Sequence, residues 1–287
     1  MNITDIKKIC VVGAGNMGHQ ISLAAALAGY QVACQDISPE TLDQAEKFAR
    51  NYLSERIAKG KITQEKADLA LSNLRFTPRL EEAAGETDFV IETAVEKIDI
   101  KRQIFADLDR ITPPHAILTT NSSFIVSSKL VDATNRPDKI CNLHFFNPAL
   151  VMKLVEVVQG PQTSDETGQI AMDLCAAMGK TGVLLKKEIY GFLVNRILDA
   201  INQEALFLVD TGIATPEQID TAVVNALGHP MGPFRLMDLT GIDLAYYASK
   251  EFYQETRDLA KKPSPTIVEK YARGEYGKKV KKGFYSY

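Results

Sequence analysis

The sequence predicts an α/β fold, a mostly parallel sheet with antiparallel terminal strands, followed by an all-helical domain. Three observations carry this. Short β-branched runs alternate with helical stretches from residue 8 to about residue 120, the pattern of βαβ units with helices on both faces of a sheet. Near residue 140 two apolar runs meet with only Asn147–Val151 between them. So short a link cannot hold a crossover, so these two strands run antiparallel. After Gly191 the strands stop and helical spacing takes over.

Each element has a local reason. Lys8–Val12 (KICVV) is a short apolar strand, the glycine turn Gly13–Gly18 follows, and Asn16 to about Ala28 is small and helical, with Gly29 as its stop. Gln31–Gln35 is a second strand. Ser38-Pro39-Glu40 caps a helix to about Lys59, with Pro in the first turn. Thr63 opens a shorter helix. Phe89–Thr93 and Ile117–Thr120 read as buried strands around a helix at Ile98–Leu108. Ile140–Phe146 and Met152–Val158 form the antiparallel pair, and a last α/β pair spans Asp165–Met178 and Val183–Leu185. Helices then cover Phe192–Asp210, Ile219–Leu227, Leu236–Thr240, Leu244–Thr256 and Ser264–Arg273. The division is expected at 1–188 and 189–287.

Composition narrows the function. The 287 residues carry 33 Lys and Arg against 36 Asp and Glu, a net charge of −3. No global field is available to hold nucleic acid or an anionic membrane. Cys10, Cys34, Cys141 and Cys175 form no CxxC pair, which excludes zinc-knuckle and thioredoxin-like sites on spacing. No apolar run reaches the length of a membrane span, and Met1 leads into polar residues, so a cytoplasmic protein is expected. No two histidines have the i, i+4 spacing of a zinc helix, so no metal is expected.

Gly13-Ala14-Gly15-Asn16-Met17-Gly18 is the strongest local signal. It follows a strand, opens a helix, and a second strand ends at Asp36, 23 residues after Gly13. That context is the dinucleotide fingerprint of a Rossmann-type sheet. Gly13 permits the turn, Gly15 lets the backbone approach a pyrophosphate, and Gly18 lets helix and strand pack closely. The helix N-terminus favours phosphate. Asp36 suits the ribose hydroxyls and repels a 2′-phosphate, and Ile37-Ser38 supplies no Arg, so NAD is expected over NADP.

His144 and Glu156 form the second signal. Each stands in an otherwise apolar strand, where an unpaired polar or charged group is costly. A loop centred on residue 149 places His144 opposite about residue 154, and a wider loop brings Glu156 there. The pair fits a general base with its orienting carboxylate, or equally a structural pair. His19, His115 and His229 read as packing, loop and turn residues. Thr119–Ser123 ends a buried strand at the edge where α/β sheets bind ligands, as contacts or as helix caps. Asn195 lies at the start of the long helix.

Together these residues resemble the 3-hydroxyacyl-CoA dehydrogenase family, in the manner of the short bacterial 3-hydroxybutyryl-CoA dehydrogenases. The resemblance runs along essentially the whole chain. It rests on the glycine loop with Asp36, Val95-Glu96, Asn121-Ser122-Ser123, the HFFNP block from His144 and the MKLVEV block from Met152. Gly191–Arg196, Pro230–Phe234 and Gly283-Phe284-Tyr285 add to it. It implies His144 as general base, Glu156 as its carboxylate, Ser123 on substrate and nicotinamide, and Asn195 on the substrate oxygen. It implies cofactor contacts at Asn16, Met17, Glu96, Lys101, Asn147 and Lys279, and CoA contact at Lys59 or Lys61. It also implies a homodimer through the helical domain, whose apolar residues include Leu206, Phe207, Val223, Val224, Leu227, Leu236 and Leu239. The chain departs from the family with Val280-Lys281 after Lys279 and with Asn-Ser-Ser-Phe in the serine motif, which leaves both Ser122 and Ser123 open. The length leaves no room for a fused enoyl-CoA hydratase domain. Two rivals stand beside this reading: a same-fold dehydrogenase of a free hydroxy acid such as a sugar acid or carnitine, and a non-catalytic dinucleotide-binding protein.

Overall fold

β1 (Lys8–Val12) is the strand on which the sheet is built. It pairs in parallel with β2 (Gln31–Gln35) on one side and β4 (Phe89–Glu92) on the other. With β3 (Leu74–Thr77), β5 (Ile117–Thr120), β6 (Ile140–Phe145), β7 (Leu154–Gln159) and β8 (Thr181–Leu185) it forms an eight-stranded sheet of order β3-β2-β1-β4-β5-β6-β7-β8. Every neighbouring pair is parallel except β6 and β7. Strand order reverses between β1 and β4, and in such sheets that reversal opens the ligand crevice at the carboxyl ends.

Alternation along the strands fills two cores. Ile9 and Val11 face one side with Ile21, Phe89, Ile91, Leu143 and Val155. Cys10 and Val12 face the other with Val90, Phe105, Leu108 and Leu118. Both faces are covered, so these strands are apolar throughout rather than alternating in polarity. α1 (Gly18–Leu27), α2 (Pro39–Ala58, capped by the Ser38 side chain), α3 (Gln64–Ser72), α5 (Ile98–Ile111) and α6 (Asp165–Ala177) occupy the expected places. β3 and α4 (Leu80–Ala84) were not expected. β3 is the edge strand and is mostly half-exposed, so it lacks the apolar run that marked its neighbours. All four cysteines are free and buried. Burial pushes the thiols of Cys34, Cys141 and Cys175 up to about 12, and raises that of Cys10 as well.

The computed structural model describes residues 1–287, in two compact units, Met1–Phe192 and Leu193–Tyr287. The first unit therefore runs past the expected division at residue 188. Phe192 is 1% exposed and packs on the His144 ring, which keeps it with the sheet. The second unit is α7 (Val194–Asp210), α8 (Pro216–Leu227), α9 (Pro233–Thr240), α10 (Ile242–Thr256) and α11 (Pro265–Ala272). Leu206, Phe234, Met237, Ile242 and Ile267 form its core. Two buried aspartates stitch it. Asp220 accepts the Phe234 and Arg235 N–H groups at the start of α9, and Asp238 accepts those of Phe284 and Tyr285 in the tail. No helix is long and apolar enough to cross a membrane.

Candidate active site

The loop after β1 has the shape of a pyrophosphate cradle. Gly13 takes φ +97° and donates its N–H to Gln35 O at 2.6 Å. A Cβ on Gly18 would overlap the Gly13 carbonyl, whereas one on Gly15 would meet nothing within 4 Å. Gly18 thus permits close packing, and open space lies against the exposed Gly15 backbone where a phosphate can approach. The first N–H groups of α1 have no partner within the helix, so they favour an anion there. Asp36 follows β2 and accepts Ala14 N–H at 2.8 Å and Ser38 N–H at 2.9 Å, one on each oxygen. A carboxylate has about four acceptor positions, so ribose hydroxyls can still be taken. These residues fit a bound dinucleotide.

The β6–β7 pair places His144 directly opposite Glu156. The expected loop was too narrow: β7 begins at Leu154, not Met152, and the added residues move the pairing from residue 154 to Glu156. Lys180 holds this wider turn by donating to the Ala149 and Met152 carbonyls, at 2.5 and 2.9 Å. Its burial without a carboxylate partner in those bonds depresses the amine below the ordinary lysine range. His144 Nδ1 lies 2.8 Å from Glu156 Oε2, with Glu156 fully buried. An ionised carboxylate only accepts, so the proton sits on Nδ1 and Nε2 offers a lone pair. Nε2 is 3.0 Å from Ser123 Oγ. Between the serines, Ser123 meets the histidine. Ser122 instead donates to Glu96 and accepts the Ile125 N–H at 2.7 Å.

A second buried charge supports this edge of the sheet, and it is absent from the sequence reading. Glu92, at the end of β4, is fully buried. It accepts the Lys101 amine at 2.8 and 2.9 Å, Thr120 Oγ1 at 2.7 Å and Ala94 N–H at 2.6 Å. Asn121 adds a further tie: its N–H donates to Glu92 O, and its side chain accepts the Phe145 N–H at 2.8 Å, one residue past His144. Glu92 carries the same signal in the sequence as Glu156, a carboxylate in an apolar strand that needs a donor. Lys101 was expected on the cofactor. It is only 1% exposed, and its amine also meets Ala94 O at 3.2 Å and Glu96 at 3.5 Å. A direct cofactor contact would require that cluster to open.

The other expected residues fall in several places. Asn16 and Asn147 are brought together, with Asn16 Nδ2 donating to Asn147 Oδ1 at 3.2 Å beside the half-buried Met17. Glu96 is 38% exposed and joins Ser122 to Lys101. Lys59 and Lys61 stand exposed at the turn between α2 and α3, Lys59 paired with Glu55 at 3.4 Å. Asn195 lies in the first turn of α7. Lys279 pairs with Asp243 at 2.6 Å and covers the Tyr276 ring, within the second unit.

A doubly wound sheet with a phosphate-shaped glycine loop and a buried His–Glu pair at its edge defines a dinucleotide-dependent dehydrogenase. Comparison with known proteins narrows this. The profile described as "3-hydroxyacyl-CoA dehydrogenase, NAD binding domain" matches residues 8–189, and the one for the C-terminal domain of the same enzymes matches 191–287. The chain is 38% identical over 283 residues to a probable 3-hydroxybutyryl-CoA dehydrogenase of Bacillus subtilis, covering 99% of this chain and 98% of that protein. It is 34% identical over 289 residues to human mitochondrial hydroxyacyl-coenzyme A dehydrogenase, covering 98% and 91%. The solved structure of (S)-3-hydroxybutyryl-CoA dehydrogenase from Ralstonia eutropha superposes with a TM-score of 0.92 at 35% identity, covering 98% and 99%. The chain belongs to the 3-hydroxyacyl-CoA dehydrogenase family and is an NAD-dependent oxidoreductase.

The buried Glu92–Lys101 pair yields a stability test. Lys101→Met strands a buried carboxylate and should lower the unfolding free energy by about 3–5 kcal/mol, read from urea denaturation. The double variant Glu92→Leu/Lys101→Met should recover part of that loss. A loss under about 1 kcal/mol in Lys101→Met, the size of an ordinary substitution effect, would contradict the pairing.

Proposed function

We propose that the chain oxidises the C3 hydroxyl of an (S)-3-hydroxyacyl-CoA, with 3-hydroxybutyryl-CoA preferred, and runs the reverse reduction. The single observation that carries the reading is the line Ser123 Oγ, His144 Nε2, His144 Nδ1, Glu156 Oε2, with gaps of 3.0 and 2.8 Å. His144 Nε2 removes the hydroxyl proton as general base, and Glu156 supports the imidazolium that results. Ser123 donates to the substrate oxygen, and Asn195 is assigned to the same oxygen. NAD, when bound, supplies the hydride acceptor for C3. Gly13, Gly15 and Gly18 shape its phosphate site, Asp36 selects it over NADP, and Asn16, Met17, Glu96 and Asn147 are assigned to contact it, with Lys279 assigned the same role on the resemblance alone. Lys101 acts through Glu96. Lys59 and Lys61 offer positive charge to the CoA phosphates. A cytoplasmic location suits four reduced thiols held in the core.

We also infer a homodimer built on the helical unit. Phe207, Val224, Leu227 and Leu239 are 53%, 36%, 68% and 52% exposed on the single chain, whereas Leu206 is buried. Large apolar side chains exposed on a single chain are what an association surface would cover. Light scattering should give twice the 31.6 kDa chain mass. A monomer at micromolar concentration would reject the inference.

The enzymatic reading is tested by NADH-driven reduction of acetoacetyl-CoA. The wild type should turn over this thioester, and free acetoacetate or NADPH should serve poorly. His144→Gln should reduce kcat/KM by about 100-fold to 10,000-fold. Near-wild-type turnover by His144→Gln would sink the base assignment, and equal use of free acetoacetate would sink the substrate class.

A further inference from the structure

Residues 188–192 lead out of the first unit, and alternate side chains of this segment land on the elements that carry Ser123 and His144. The Glu188 carboxylate accepts the Ser128 N–H at 3.1 Å and the Ser127 hydroxyl at 3.4 Å, and it also takes the Ser128 hydroxyl. Tyr190 stacks on Phe124, the residue after Ser123, with ring centroids 5.1 Å apart and planes 27° apart. The Phe192 ring lies 5.5 Å from the His144 imidazole. The loop 122–128 is thereby tied at both ends, through Ser122 to Glu96 and through Ser127 and Ser128 to Glu188.

Two backbone details show that this fit is built. Gly160 leaves the space in which Glu188 meets the serines, because a Cβ there would come to 2.5 Å from Ser127 Oγ and 3.1 Å from Glu188. Gly191 and Phe192 are both left-handed, at φ 76° and 47°. For a bulky aromatic residue that conformation is strained and persists only where the surroundings fix it. Ordinary packing of an apolar side chain needs no such backbone. Here the turn aims the ring at the imidazole, two residues before α7 begins at Val194.

We propose that Glu188, Tyr190 and Phe192 form a positioning strap for the reaction. Glu188 and Tyr190 fix the loop that carries Ser123. Phe192 limits the rotation of the His144 ring, so that Nε2 stays aimed at Ser123 while Glu156 holds Nδ1. The three act through Ser123 and His144 and take no proton themselves. The proposal rests on His144 being the base.

The test is steady-state kinetics on the full-length enzyme with acetoacetyl-CoA and NADH, for Phe192→Ala, Phe192→Leu, Tyr190→Ser and His144→Gln in parallel. Misplacement of a reacting group by a small distance costs turnover rather than binding. Phe192→Ala should lower kcat by about 10-fold to 100-fold, with both KM values within about threefold of wild type and the melting curve still cooperative. Phe192→Leu, which restores bulk beside the imidazole, should recover much of the loss. Tyr190→Ser should lower kcat in the same sense, and it decides the matter if Phe192→Ala does not fold. Wild-type kcat in Phe192→Ala, or in Tyr190→Ser where it must decide, overturns the strap, as does a change confined to KM. If His144→Gln keeps wild-type turnover, the base assignment fails. If only His144→Gln is impaired, the strap alone fails.

Discussion

A carboxylate with no solvent exposure must be given a donor, and in this protein that requirement sets the geometry of the reacting centre. Glu156 sits in the middle of β7 among Val155, Val157 and Val158. Its donor is available because β7 alone runs antiparallel to its neighbour β6, which sets His144 face to face with it. A parallel crossover would have needed a much longer connection and a different register. The reversal of chain direction between β6 and β7 therefore turns two costly residues into a pair. It also turns the other nitrogen of the imidazole toward Ser123 at the carboxyl edge of the sheet. The width of the β6–β7 turn, held by Lys180, fixes which residue faces which.

The same constraint recurs at the neighbouring strands. Glu92 gathers a lysine, a threonine hydroxyl and a backbone N–H, and so ties the ends of β4, β5 and α5 together. Asn121 carries that order across to Phe145. Ser122 and Ser123, adjacent in sequence, divide the work: one anchors the loop to Glu96 and the other faces His144. Buried polar contacts thus surround His144 and the half-buried Ser123, an arrangement suited to holding reacting groups in place before substrate arrives.

Much of this was legible in the residues. Most strands and helices followed from apolar periodicity and caps, because both faces of the sheet are covered and the strands stand out as continuous apolar runs. His144 and Glu156 were legible for a related reason, as polar residues in places that demand partners. Their register was not, since it depends on a turn whose width no local pattern specifies. β3 escaped because an edge strand with one buried residue has no such signature. Glu92 carried the same signal as Glu156 but has its partner on a helix, nine residues along the chain. The resemblance to the family named Lys101, yet only the packing reveals that its amine is enclosed by Glu92, Ala94 and Glu96. The segment 188–192 has no periodicity at all, and its meaning lies in contacts with a loop some sixty residues earlier.

The central claim is that His144 and Glu156 act as one unit. A double-mutant cycle on kcat/KM for acetoacetyl-CoA reduction, using Glu156→Gln, His144→Gln and the double variant, tests it most directly. Groups that work as a unit have grossly non-additive losses. The account predicts that the double variant is no slower than His144→Gln within about twofold. Losses that multiply in the double variant would show that the two residues contribute independently, and would contradict it.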